Sequence, residues 1–255
     1  MTKYQIVIRE DDHSKEVAEE LNKKLKKAGF KPDFISPEII FCIGGDGCFL
    51  AGVHQFLGLC ETVGFIGIHT GTLGFFTQYA GKEIDRLIKD LTTKKPKQRE
   101  RRLLEVEVGD RKLYAVNEVR VENPLKTQLI DVQVGKEKME TFRGTGLCIS
   151  TQLGSTAYNR SNHGAVIHPD LEILQLTEVT GIHHRLFESL QAPLVLSEKA
   201  QITLSANFAG AQLCYDHLSL ELNDQREIKA KLADKTIRFL DYRPYDYVKR
   251  LKNLF

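Results

Sequence analysis

The chain has 255 residues, enough for one large domain or two modest ones, and its 42% hydrophobic and 27% charged residues fit a soluble globular protein with a proper core. A formal net charge of +2 excludes a nucleic-acid footprint at the level of the whole chain, while a local basic patch could still bind a phosphorylated small molecule. Five cysteines (Cys42, Cys48, Cys60, Cys148, Cys214) without a CxxC pair exclude a disulfide framework and a zinc site, and point to a reducing cytoplasm.

The opening MTKYQIVIRE reads as a first strand over residues 4–8, not as a signal peptide, whose apolar run would be longer and end in small residues. Ser14 is placed to N-cap a helix with the apolar stripe Val17, Leu21, Leu25 and Ala28, closed by Gly29. Residues 39–43 read as a buried strand, followed by the turn Gly44-Gly45-Asp46-Gly47 and a helix through Phe49, Leu50, Val53 and Leu57. Residues 63–68 give another apolar strand and 84–91 another helix, so strand and helix alternate as in a parallel α/β layer. KKPKQRERR, residues 94–102, reads as a solvated linker and marks a change of texture.

Beyond it come runs of period two: Leu104, Val106, Val108; residues 113–121; Ile130, Val132, Val134; Ile202, Leu204; residues 218–222; and Ile228, Ala230, Leu232. Asn223-Asp224 supplies a turn, and the set predicts a β-rich second domain. Residues 247–254 read as a helix that returns to the first domain. The expected fold is therefore a Rossmann-like parallel α/β domain, residues 1–97 joined by 241–255, plus a C-terminal β-rich (β-sandwich) domain, residues 98–240. No run approaches the roughly eighteen apolar residues of a membrane span. The eight histidines are scattered, and the rings of the adjacent pair His183-His184 diverge, so no metal site is expected.

The glycine turn is where chemistry can sit, because ligands of open α/β sheets bind beyond the carboxyl ends of the strands. Its glycines allow close approach, and free N–H groups at a helix start favour phosphate. Asp46 is electrostatically unhelpful for binding phosphate alone. It makes sense as a base that takes a proton from a hydroxyl attacking a phosphoryl group. On these residues alone it could equally be an N-cap. The absence of GxxxxGK[ST] and of a strand-end GxGxxG excludes a P-loop and the common dinucleotide fingerprint.

Three further stretches share this texture. Gly71-Thr72-Leu73-Gly74-Phe75-Phe76 follows a strand, and its Phe pair could form an apolar wall for a flat ring or simply pack. Asn117-Glu118 lies inside the strand-like YAVNEVRV, where an amide and a carboxylate side by side invite a ribose diol or an adenine edge, or else mark a turn or sheet edge. The stretch from Gly144 to Tyr158 ends in GSTAY, whose hydroxyls can hold phosphate and whose Tyr158 can stack, or which can serve as a plain N-cap.

Taken together, GGDG at 44–47, LGFF at 73–76, NE at 117–118 and GSTAY at 154–158 resemble the NAD kinase family in order and spacing, as does the ending IRFLDYRPYDYVKR. The resemblance implies transfer of the ATP γ-phosphoryl group to the 2′-hydroxyl of the adenosine ribose of NAD, with the substrate held between an α/β and a β-rich domain. It implies Asp46 as the base, Gly44, Gly45 and Gly47 against phosphates, and a divalent ion, Mg²⁺, accompanying ATP. Asn117 and Glu118 would hold the nucleoside of NAD. Phe75, Thr156, Ala157, Tyr158 and Ser161 would line the pocket, with Gly47 beside them. Arg143 would make a basic contact from a neighbouring subunit of a homodimer or homotetramer, and Asp216 with His217 resembles a later polar site.

The chain departs from the family pattern at Thr145, where many members have Asp, at Gln152 and Leu153 before GSTAY, and at Cys48 after GGDG. Two rivals follow: a lipid kinase sharing the GGDG turn, and a non-catalytic dinucleotide-binding sensor.

Overall fold

The computed structural model describes residues 1–182 and 189–254. The chain divides into two compact units, Met1–Arg101 with Thr236–Phe255, and Arg102–Lys235.

The first unit contains β1 (Lys3–Ile8), α1 (Asp12–Lys27), β2 (Lys31–Pro32), β3 (Ile39–Gly44), α2 (Asp46–Gln55), β4 (Gly64–His69), β5 (Thr77–Ala80) and α3 (Ile84–Thr93). These strands pair in parallel in the order β2-β1-β3-β4-β5. Ile8 lies opposite Ile43, and Gly44 opposite His69, so the strands end level and their outgoing loops share one edge. Every residue of β3 is buried because helices cover both faces of the sheet. Ile39, Phe41 and Ile43 meet Val17, Leu21 and Leu25 of α1 and Leu87 of α3. On the opposite face Phe49 of α2 packs against Phe65 and Phe76, with ring centres 5.8 and 5.0 Å apart.

Two local expectations are corrected. Asp11, not Ser14, is the N-cap of α1: its carboxylate accepts the Ser14 amide at 3.0 Å. A carboxylate also suits the positive end of the helix, and the Ser14 hydroxyl turns inward to Thr70 Oγ1 at 3.0 Å. Nor is 94–102 a linker, for β6 (Lys97–Val108) begins inside it. Its arginines are spent on strand partners: Arg99 pairs with buried Asp241 at 2.8 Å, and Arg102 Nε donates to the Ala233 carbonyl at 2.6 Å.

After β6 come β7 (Arg111–Ala115), β8 (Glu118–Glu122), β9 (Gln128–Val134), β10 (Glu137–Thr151), α4 (Tyr158–Ser161), β11 (Ile173–Gly181), β12 (Leu194–Ser197), β13 (Gln201–Ser205), β14 (Gln212–Tyr215), β15 (Leu218–Glu221) and β16 (Glu227–Asp241). The divisions at 101/102 and 235/236 fall inside β6 and β16. The closing helix α5 (Tyr247–Leu251) belongs to the first unit.

In the second unit the strand pairs are antiparallel. Alternation then sorts the side chains. Val119, Val121, Leu147, Ile149, Leu174, Leu176 and Leu213 point into a common apolar core. The intervening residues place Glu118, Ser150 and Gln175, then Arg120, Cys148 and Thr177, in cross-strand rows on the other face. That polar face carries Glu118, while the other face packs into the core.

Candidate active site

The turn after β3 is glycine for a steric reason at its first position. Gly44 has φ +156°, and a Cβ there would stand 2.8 Å from Arg9 Cβ and 2.9 Å from Cys48 Cβ. Gly45 is the N-cap of α2 and has no side chain to cap with. Asp46, the first helical residue, makes no cap bond either. Its carboxylate reaches instead to the loop before β5, where Oδ2 accepts the Phe75 amide at 2.8 Å and Oδ1 the Phe76 amide at 2.9 Å.

A Cβ on Gly74 would fall on that carboxylate, so GGDG and LGFF form one piece of structure. Burial pushes the Asp46 carboxyl above its ordinary pKa, against the pull of the two amides, Arg250 and His69. Gly45 and Gly47 have no heavy atom within 4 Å of where a Cβ would stand, which leaves bare backbone beside the carboxylate open to a ligand. Cys48 uses its thiol within the fold, donating to the Ile43 carbonyl at 3.3 Å.

The Phe pair divides. Phe76 stacks on Phe49 and Phe239 in the core, with centres 5.0 and 6.0 Å apart, and only Phe75 remains half-buried, 6.2 Å from the Tyr247 ring. A wall made by both rings is thereby corrected to Phe75 alone.

Asn117-Glu118 does not sit inside one continuous strand: Asn117 lies in a break and Glu118 opens β8. The run breaks between β7 and β8, because the Asp216 carboxylate accepts the amides of Val116 and Asn117, both at 2.8 Å. Thr151 Oγ1 donates to the Val116 carbonyl at 2.7 Å from the other direction. With its backbone so fixed, the pair presents Asn117 Oδ1 and Glu118 Oε2 as buried atoms with no protein partner among the described residues. Burial first, and the Asp216 charge second, push the Glu118 carboxyl up to about 8. Near neutral pH it is therefore protonated and offers a donor next to the Asn117 acceptor, a pairing suited to a hydroxyl or to a base edge.

GSTAY forms the turn from β10 into α4, with Thr156 and Ala157 half-buried. Tyr158 is held firmly: its hydroxyl donates to Glu122 Oε1 at 2.6 Å, and the Arg120 guanidinium lies 3.8 Å from the ring centre. Ser161 is exposed and lines a cavity of about 380 Å³ with Thr177, Thr180 and Pro193. Arg143 is half-buried on β10, where its carbonyl accepts the Ile182 amide at 2.7 Å. His217 is exposed in the same turn as Asp216, which has φ +49°.

Of the departures, Thr145 Oγ1 donates to the Val179 carbonyl at 2.8 Å and Leu153 is buried, while buried Gln152 leaves both amide atoms without a partner among the described residues. The pair His183-His184 lies outside the described residues. Among the described residues there is no group of three or more His, Cys, Asp or Glu that could hold a metal ion, and no helix long and apolar enough to cross a membrane.

Sequence reasoning missed Arg250, Asp216 as a backbone clamp, and the pair Arg120 and Glu122 around Tyr158. The last could have been found from the spacing, since residues two apart on a strand share a face.

Parallel strands ending at a glycine turn beside a half-buried carboxylate, in one chain with an antiparallel β unit, define the class: an α/β protein whose loops gather at the carboxyl ends of its strands, where open α/β sheets bind ligands. A family model described as the ATP-NAD kinase C-terminal domain matches residues 116–240. The chain is 32% identical to an NAD kinase of Leuconostoc mesenteroides over 96% of this chain and 94% of that one. It is 33% identical to the NAD kinase of Geobacillus stearothermophilus over 99% and 96%, and 34% identical to that of Lactobacillus gasseri over 99% and 97%. The fold matches the crystal structure of yeast NADH kinase complexed with NADH (TM-score 0.86, 17% identity, 100% of this chain and 87% of that one). It also matches an NAD kinase from Archaeoglobus fulgidus in complex with ATP (TM-score 0.78, 23% identity, 100% and 97%). The chain belongs to the NAD kinase family.

Proposed function

We propose that the protein transfers the γ-phosphoryl group of ATP to the 2′-hydroxyl of the adenosine ribose of NAD, giving NADP and ADP, with Asp46 as the general base. The observation that carries this reading is the Asp46 carboxylate itself, which is not a helix cap but is held by two backbone amides beside open glycine backbone. The carboxylate takes the hydroxyl proton as the ribose oxygen bonds to the γ-phosphorus, and the bond from that phosphorus to the β,γ-bridging oxygen breaks. Mg²⁺ enters with ATP as part of the substrate and offsets phosphate charge, while Gly44, Gly45 and Gly47 offer backbone to the phosphates.

Asn117 Oδ1 and protonated Glu118 hold the nucleoside of NAD. Phe75, Arg143, Thr156, Ala157, Tyr158, Ser161 and His217 complete the dinucleotide site. The protein acts in the cytoplasm as a homodimer or homotetramer. The test is direct: purified protein is incubated with NAD, ATP and Mg²⁺, and NADP is measured enzymatically. NADP formation is the expected result. Phosphorylation of a lipid alcohol with NAD left unchanged, or dinucleotide binding without product, would overturn the reading.

A further inference from the structure

The C-terminal segment lies against the loop that holds Asp46. Tyr247, Arg250 and Asn253 recur every third residue and so share one face of the closing helical segment, α5 and the turn after it. All of them meet the Leu73–Phe75 loop. The Tyr247 ring lies 6.2 Å from that of Phe75, Arg250 Nη1 donates to the Gly74 carbonyl, and Asn253 Nδ2 donates to the Leu73 carbonyl at 3.2 Å. Asp246 caps α5 by accepting the Lys249 amide at 2.9 Å, and the Tyr245 ring, 4.6 Å from the Arg250 guanidinium carbon, covers its cation.

The decisive point is which peptide group Arg250 grips. The Gly74 carbonyl and the Phe75 N–H belong to one planar unit, and in a trans peptide they point in opposite directions. Arg250 bonds the carbonyl and Asp46 accepts the N–H, so the unit is fixed from both ends and polarised along its length. A neighbouring bond, from the Gly74 amide to Thr77 Oγ1 at 3.2 Å, ties down the preceding 73–74 peptide as well.

We propose that the C-terminal segment is a brace for the base, with Arg250 as a positioning residue that sets the orientation and ionisation of Asp46 through the 74–75 peptide group. This rests on the reading of Asp46 as the base. The charged and titratable groups that face Asp46 are Arg250, His69 and Tyr245; Arg250 and His69 favour its ionised form.

The test uses the full chain with NAD and MgATP. Arg250→Ala is expected to lower kcat about 10- to 100-fold with KM for NAD within about twofold, the scale of a small misplacement of a reacting group. It is also expected to move the acid limb of the kcat–pH profile to higher pH, because the cation and the polarised amide no longer favour carboxylate. Arg250→Lys, which keeps the charge but not the fork, is expected to return the acid limb towards the wild-type position while kcat stays reduced. A folded Arg250→Ala protein with wild-type kcat and an unmoved acid limb overturns the proposal. Should that variant fail to fold, Asn253→Ala decides, since its side chain is at the surface: a several-fold fall in kcat at constant KM supports the brace, and unchanged kcat overturns it. If Asp46→Asn turns over normally, the base assignment and the brace fall together. If Asp46→Asn is inactive while Arg250→Ala is normal, the brace alone fails.

Discussion

Two aspartates in this protein make the same local bond pattern and are put to different uses. Asp46 accepts the amides of Phe75 and Phe76; Asp216 accepts those of Val116 and Asn117. The bond pattern is therefore not what marks a base. Asp46 lies beside glycine backbone with open space around it, whereas Asp216 sits in a tight β-turn and fixes the strand break that presents Asn117 and Glu118. A carboxylate next to open space can meet a substrate hydroxyl. Asp216, also half-buried, uses its carboxylate to hold the chain at Val116 and Asn117. A further contrast separates the polar groups of the two units. Both Asp46 oxygens are partnered within the protein, while Asn117 Oδ1 and Glu118 Oε2 are left for something else.

The largest effect is expected at Asp46. Replacement by Asn should lower kcat by about 10²–10⁴, the usual worth of a positioned base, with KM for NAD little changed. Asp216→Asn should invert this pattern. It weakens a bond between a charged acceptor and the Asn117 amide, so stability should fall by about 1.5–3 kcal/mol and KM for NAD should rise, with kcat largely kept. Equal losses of kcat in the two variants would erase the distinction.

A smaller effect is expected from Glu118→Gln, and it depends on pH. In the folded protein Glu118 titrates at about 8, and in the unfolded chain near the usual glutamate value. Between those points the unfolded chain has released the proton that the folded protein retains, so wild-type stability drops as pH rises through that window. Glutamine removes the slope. Chemical denaturation should show the variant gaining on wild type from pH 5 to pH 8, and a constant difference would contradict the assignment. Tyr158→Phe should be the mildest, raising KM for NAD by a few-fold through loss of the donor to Glu122 while the ring and its Arg120 contact remain.

Much of the candidate site was legible in the sequence because it is written in local signals. An apolar run ending in glycines marks a strand end, and the order of GGDG, LGFF, NE and GSTAY marks the family. What could not be read were partners far apart in the chain. What takes Asp46 away from a cap role is a pair of amides 29 and 30 residues away, and the clamp on Asn117 comes from a side chain 99 residues on. KKPKQRERR looked like a solvated linker because the carboxylate that neutralises Arg99 is 142 residues downstream. The same reason hid Arg250, whose carbonyl partner lies 176 residues earlier. Over a short range, Asp11 takes the cap position from Ser14 because its carboxylate is the stronger acceptor.

The central claim is that Asp46 takes the proton of the ribose hydroxyl, and the pH dependence of a single turnover of NAD with MgATP tests it most directly. In wild type the rate should fall as pH drops through one ionisation lying above the ordinary aspartate range, because burial raises the Asp46 pKa and the protonated acid cannot accept a proton. In Asp46→Asn that acid limb should vanish and leave a flat, much slower rate. An Asp46→Asn protein that keeps the wild-type limb and rate would contradict the account.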